Sequence, residues 1–156
     1  MQMQDKIVIN DYIENDPLSD ENLDGVLDLV TEINKRYNIP QDIVRNNNSN
    51  HNILSRNTDE IRLSLPNKSI WIYSGYTWEN IMTIINMPFS KDEKLNTYIE
   101  NDKKRKVIVG MCDVFIDGRY IDSQRDTTLK WRGSKNQRVI DVQNSLNNNK
   151  ITLYCN

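Results

Sequence analysis

Ser69-Ile70-Trp71-Ile72-Tyr73-Ser74 runs straight into Gly75-Tyr76-Thr77 (SIWIYSGYT, 69–77). Four consecutive β-branched or aromatic residues predict a strand over 69–74, and Gly75 gives it a sharp exit. Thr77 is a helix N-cap, with Glu79 in the positively polarised first turn. Ile81, Met82, Ile84 and Ile85 follow, and Pro88 ends the helix. A strand that turns tightly into a helix is the unit from which α/β sheets are assembled.

The flanking sequence extends this pattern. Upstream, Leu23, Val26, Leu27, Val30, Ile33 and Tyr37 recur at three- and four-residue steps, which puts them on one helical face. Ser19 reads as the N-cap, Asp20 and Glu21 suit the first turn, Lys35 and Arg36 suit the last, and the helix stops before Pro40. Ile7-Val8-Ile9 predicts a short first strand. Downstream, 90–106 reads as a charged helix with Leu95, Tyr98 and Ile99 facing inward. Val114-Phe115-Ile116 reads as a strand ending at Asp117-Gly118. Val139 to Val142 and Ile151 to Tyr154 read as two further strands, with Asn147-Asn148-Asn149 as the turn between them. The resulting order of strand, helix, strand, helix, helix, strand and a mostly β tail predicts an α/β sheet with parallel neighbours.

The stretch 38–67 differs from its surroundings. It holds Asn46-Asn47-Asn48, Ser49, Asn50, the single histidine His51 and Asn52, with little to bury. It reads as an Asn-rich insertion or linker, with a short alternating strand at Ile61, Leu63 and Leu65. The length of 156 residues fits one domain, 1–156. The 20 basic residues are outnumbered by 22 acidic ones, which argues against a protein governed by phosphate neutralisation and so against a nucleic-acid partner. Lys103-Lys104-Arg105-Lys106 is the dense basic run and reads as the solvated end of a helix. No apolar run nears the roughly 20 residues that span a bilayer, and the first residues lack a signal-peptide layout. These readings predict a cytoplasmic protein without a membrane partner.

Ligands of parallel sheets bind beyond the C-terminal strand ends. Glu14-Asn15-Asp16-Pro17, Ser74-Gly75-Tyr76-Thr77 and Asp117-Gly118-Arg119-Tyr120 have that placement. Each reads first as a structural turn, since Gly, Asp and Asn are ordinary turn residues. Trp131-Arg132-Gly133-Ser134-Lys135-Asn136-Gln137-Arg138 packs three cations, two amides and a hydroxyl into eight residues. Such a loop reads equally well as an anion clamp or as a polar segment bonded to its own backbone. No Ser-His-Asp set, P-loop or GxGxxG is present, and the sequence predicts no catalytic side chain of its own. The two cysteines, Cys112 and Cys155, form no CxxC and read as free thiols, so no metal site is expected.

Val114 to Tyr120 (VFIDGRY), Arg125-Asp126 and Leu129 to Val142 (LKWRGSKNQRVIDV) closely resemble the activating proteins of anaerobic ribonucleotide reductase, a radical-SAM family. Ile70 to Glu79 (IWIYSGYTWE) is similar to that family's central strand-turn-helix. Asp16-Pro17-Leu18 and Glu21-Asn22-Leu23 to Tyr37 are similar to the segment after its glycine-rich SAM motif. The likeness covers 16–37 and 68–155, leaving 1–15 as an unmatched leader. It implies a partial (β/α) barrel of radical-SAM type, here incomplete on the N-terminal side. It also implies S-adenosylmethionine (SAM), a 4Fe-4S cluster and the reductase large subunit as partner, with the generation of a glycyl radical as the activity. By position, the resemblance puts Asp16, Asp117 and Arg119 at SAM. It puts Arg132, Gly133, Asn136, Gln137 and Arg138 in a loop serving folding or partner contact.

Two departures from the family bear on activity. The CxxxCxxC loop that holds the cluster has no counterpart here, and the family's GGD or GGE appears as Glu14-Asn15-Asp16. The expectation is therefore a truncated or divergent member, inactive alone. The alternative is a non-catalytic module that docks on the reductase or complements a cysteine-bearing N-terminal fragment.

Overall fold

The computed structural model describes residues 6–38, 69–83 and 91–155. Four strands form one sheet in the order β1 (Lys6–Val8), β2 (Ser69–Ser74), β3 (Val114–Asp117) and β4 (Arg138–Asp141). β1, β2 and β3 are mutually parallel, pairing Ile7 with Ile70 and Ile72 with Phe115. β4 joins β3 antiparallel, with Phe115 opposite Ile140. The α/β reading with parallel neighbours therefore holds. Among the described residues the sheet is open and does not close into a barrel.

Strand alternation sends Ile7, Ile70, Ile72, Phe115 and Ile140 to one face of the sheet. The helices α1 (Leu23–Asn38) and α3 (Glu93–Gly110) cover that face, supplying Leu23, Val26, Val30 and Ile33 from α1 and Ile108 and Val109 from α3. The α1 stripe is the one its periodicity predicts, up to Ile33; the side chain of Tyr37 lies outside the described residues. The opposite face presents Trp71, Val114, Ile116 and Val139, and among the described residues Trp131 and Tyr154 pack on it and no helix does.

Several expectations are corrected. Ser19 makes no side-chain cap and precedes a 3-10 turn, Asp20–Asn22, that leads into α1. The Thr77 cap is realised on α2 (Trp78–Met82) as a reciprocal capping box, in which Thr77 accepts from Asn80 N and the Asn80 side chain accepts from Thr77 N. α3 starts at the Asp92 cap and buries Arg105, Ile108 and Val109. Leu95 and Tyr98, read as inward, are 37% and 64% exposed, because the sheet and α1 support only the C-terminal half of this helix. Residues 142–148 are not the approach to a turn. Asp141 caps α4 (Val142–Asn148) by accepting from Asn144 N, and Asn149 ends it at φ 53°, a left-handed conformation that asparagine tolerates. Ile151 to Tyr154 is not a strand. It returns to β4 through two backbone bonds, Asp141 N to Thr152 O and Tyr154 N to Val139 O, each 2.8 Å.

The readings at Pro40, His51, Ile61, Leu63, Leu65, Ile84, Ile85 and Pro88, and the Asn-rich stretch as a whole, lie outside the described residues. Among the described residues, no helix is long and apolar enough to cross a membrane.

Candidate functional site

The three segments singled out at the strand ends meet around one cleft of about 450 Å³. Asn15 and Asp16 come from the loop before α1, Ser74 and Gly75 from the end of β2, and Gly118, Arg119 and Tyr120 from the end of β3. Asn10, Tyr73 and Gln137 complete the wall. A second cleft of about 410 Å³, bordered by Ser19, Tyr76 and Asn80, shares Asp16, Gly75 and Arg119 with it.

Asp16 ties its loop to the tip of β2. Oδ1 accepts from Leu18 N at 2.9 Å and from Ser74 Oγ at 2.8 Å, and Oδ2 accepts from Gly75 N at 2.8 Å. Asn15 takes φ 64°, so the left-handed turn that a glycine would favour is kept by asparagine. Gly75 lets its neighbours approach closely, and a side chain there would push the Arg119 stem aside by a few tenths of an ångström. A Cβ there would stand 3.0 Å from Arg119 Cγ and 3.4 Å from Asp16 Oδ2. The arginine stem thus lies against the bare backbone of Gly75. Its guanidinium makes no ion pair among the described residues.

Asp117 does not line the cleft. It is 1% exposed and accepts from Trp78 N at 2.8 Å and from Arg138 Nε at 3.0 Å. Arg138 also forks onto Glu79, with Nη1 to Oε1 at 2.9 Å and Nη2 to Oε2 at 2.7 Å. This chain of charges binds the end of β3, the start of β4 and the first turn of α2. The Arg138 bonds hold the Glu79 carboxyl below its ordinary range, and the two carboxylates push the Arg138 guanidinium up.

Most polar groups of the loop Trp131–Arg138 bond to its own chain. Arg132 Nη1 donates to the carbonyls of Lys135 and Gln137. Gln137 Oε1 accepts from Gly133 N at 3.0 Å, and its Nε2 donates to Gly118 O at 3.0 Å. Asn136 Nδ2 donates to Arg119 O at 2.7 Å. Of the loop residues named from sequence, Gln137 alone reaches the cleft; Arg132, Gly133 and Asn136 brace its wall.

Two contributors were not singled out from sequence. Asn10 behaves as an extra strand residue, its side chain accepting from Tyr73 N at 2.9 Å and donating to Tyr73 O at 3.0 Å. No local signal marks it. Arg105, read as part of a solvated run, is 3% exposed. Its Nε donates to Leu18 O at 2.8 Å, its other nitrogens pair with Asp102 and Asp20, and its guanidinium lies 4.4 Å from the Tyr76 ring centroid. It fastens α3 to the loop that carries Asp16. Lys103 and Lys106 are exposed as read, but the run is not a helix end: α3 continues to Gly110, and its last turn carries no cation.

The model of the 4Fe-4S single cluster domain family matches residues 46–140, more than half of the chain. The chain belongs to the 4Fe-4S single cluster domain family. It is similar to anaerobic ribonucleoside-triphosphate reductase-activating proteins of Haemophilus influenzae, Vibrio cholerae and Escherichia coli K12, at 30%, 29% and 30% identity over 79 residues. Each match covers 51% of this chain and 38% of the relative. No solved structure matches.

The residues of this family member do not fit the cluster its family is named for. A 4Fe-4S centre is held by cysteine thiolates, and two cysteines are present. Cys112 is fully buried near the N-terminal end of β3, remote in the topology from the strand ends that form the cleft. Its thiol donates to Ile108 O, and burial pushes its pKa up, away from the thiolate form that binds iron. Cys155 packs beside the cluster around Trp71 on the opposite sheet face. Among the described residues, no three His, Cys, Asp or Glu gather as a metal site.

Proposed function

We propose that this chain serves the activation of anaerobic ribonucleotide reductase as a cluster-free module built on part of a radical-SAM (β/α) barrel. The cleft at the strand ends is its ligand site, and the reductase large subunit is its partner. One observation carries the reading. Three segments far apart in sequence, each lying in a stretch that resembles the activating proteins, converge on one cleft with Arg119 and Asp16 in its lining. The cleft is shallow and open to solvent, and its volume of about 450 Å³ falls in the range of small-molecule sites.

In this reading the cleft takes the amino-acid end of SAM. Arg119 pairs with the carboxylate. Asp16 turns an oxygen from Ser74 Oγ toward the ammonium. Asp117 acts from behind, holding Gly118 and α2 in place through Arg138 and Trp78 N. No radical step is assigned to these residues, because the thiolates it needs are not among them. Any cluster that works with this cleft takes its ligands from another segment, for which a cysteine-bearing partner chain is the natural source.

Calorimetric titration with SAM tests the ligand, and anaerobic co-purification with the reductase large subunit tests the partner. The expected results are heat that disappears in Arg119→Ala, and capture of the subunit. Absence of heat with the native chain contradicts the SAM assignment, and absence of capture contradicts the partner.

A further inference from the structure

We infer that residues 119–135 form a basic docking surface on the rim of the cleft, fitted to an acidic protein segment. The inference rests on the proposed function only for the name of the partner.

The segment after β3 divides its polar residues into two sets. Arg132, Ser134, Asn136 and Gln137 turn inward and spend their hydrogen bonds on backbone and on one another. Ser134 is fully buried and accepts from Ile121 N at 3.2 Å. Arg125, Lys130 and Lys135 turn outward. They are exposed, and their side chains make no hydrogen bond or ion pair among the described residues. The inward set thus builds a frame and the outward set decorates it.

The frame is closed by backbone bonds. Asp126 N donates to Gly133 O at 3.1 Å, Lys135 N donates to Gln124 O at 2.9 Å, and Arg125 bridges to Ser134. Cations on such a frame meet a partner with little loop ordering left to do. Their field is local and positive. Residues 119–135 carry five cations and two carboxylates, in a chain whose net charge is −2. Both carboxylates accept from neutral neighbours, Asp122 from Tyr120 Oη and Asp126 from Thr128, and keep their charge; Lys135 and Arg132 also act on Asp126, and the balance stays positive.

Beside the cations stand two exposed apolar groups, Tyr120 at 50% and Ile121 at 39%. The Tyr120 ring rests on Gly133, where a Cβ would come within 3.1 Å of it, so the ring is held up rather than free to collapse. Tyrosine and arginine are enriched in protein interfaces and at their energetic centres. A nucleic-acid strand is the less suited occupant. The chain as a whole repels a polyanion, and one exposed ring is not the row of stacking platforms that single strands use.

The test compares the native chain with Arg125→Glu/Lys130→Glu/Lys135→Glu and with the matching triple glutamine variant, whose folding is checked by circular-dichroism melts. Probes are the reductase large subunit, a labelled peptide of alternating Glu and Leu, and a labelled single-stranded RNA. The glutamate variant is expected to bind the subunit and the acidic peptide at least about tenfold more weakly, and the glutamine variant to fall between. Native binding is expected to weaken as salt rises from about 50 to about 300 mM. Native capture of the subunit with unchanged capture by both variants overturns the docking surface and leaves the proposed function standing. Failure to capture the subunit, with charge-dependent binding of the acidic peptide, removes the proposed partner and leaves the surface. Binding of neither acidic probe, or preference for RNA, overturns the inference.

Discussion

Among the described residues, one face of the sheet meets two helices with Ile7, Ile70, Ile72, Phe115 and Ile140, while the other meets irregular chain with Trp71, Val114, Ile116 and Val139. The helix-covered face is mostly aliphatic around Phe115, and it is continuous. The second face is smaller and aromatic. Trp131 and Tyr154 stand edge-on to Trp71 at 5.4 and 5.1 Å, and Lys6 from β1 reaches over the Trp71 ring at 4.1 Å. The difference is functional as well as architectural. The segment that covers the second face continues directly into Asn136 and Gln137, which brace and line the cleft. The first face sets stability, whereas the second couples stability to the shape of the site.

The largest effect is expected on the first face. Phe115→Ala removes a fully buried ring at the sheet centre and should cost about 3–5 kcal/mol in a urea melt. A loss under about 1 kcal/mol would mean that the helices do not pack as described. At the junction of the faces, Asp117→Ala strands Trp78 N and leaves the partly exposed Arg138 with its Glu79 fork alone. It should cost about 2–3 kcal/mol, less than a fully buried pair because solvent screens the arginine.

Trp131 sharpens the contrast. It holds φ at 70°, a costly conformation for a bulky residue, and its indole lies over Lys6 and against Trp71. Trp131→Ala should cost about 2 kcal/mol and lower the hydrogen-exchange protection of the Gly133 and Ser134 amides, which bond Gln137. Trp131→Gly loses the same ring but relieves the backbone, so it should be less damaging than Ala by about 1 kcal/mol. If alanine proves the milder change, the left-handed backbone is not what the indole contacts hold in place.

The smallest effect is a pH dependence. The Arg138 bonds depress the Glu79 carboxyl in the folded chain. The folded state therefore binds fewer protons than the unfolded one as the acid range is approached. The contribution is present above the ordinary glutamate pKa and is lost as pH falls through the depressed folded value. Glu79→Gln should flatten that part of the acid limb of the stability curve. With Glu79 56% exposed, screening keeps the change small, and an acid limb identical to the native one would remove Glu79 from the network.

The pattern of legibility follows the same division. β2 and the α1 stripe up to Ile33 were readable because strand and helix periodicities report burial against regular partners. The three loops of the cleft were readable as a group because strand ends in parallel sheets gather at one edge. The tail from 142 onward misled, since a short helix rich in asparagine has weak propensity and depends on the Asp141 cap. Arg105 was hidden in a run of cations because only its tertiary partners, Leu18 O, Asp20 and Asp102, distinguish it from Lys103 and Lys106. Asn10 gave no signal, since a side chain that substitutes for a strand backbone looks like any loop asparagine. The covering of the second face was equally silent, because Trp131 and Tyr154 reach it through turns that no periodicity describes.

The central claim is that a member of a 4Fe-4S family folds its site without ligands for the cluster. Iron and acid-labile sulfide content after anaerobic reconstitution and desalting measures it directly, in the native chain and in Cys112→Ser/Cys155→Ser. Both proteins are expected to retain far less than one cluster per chain, and equally little. A stoichiometric, cysteine-dependent cluster in the native chain would contradict it.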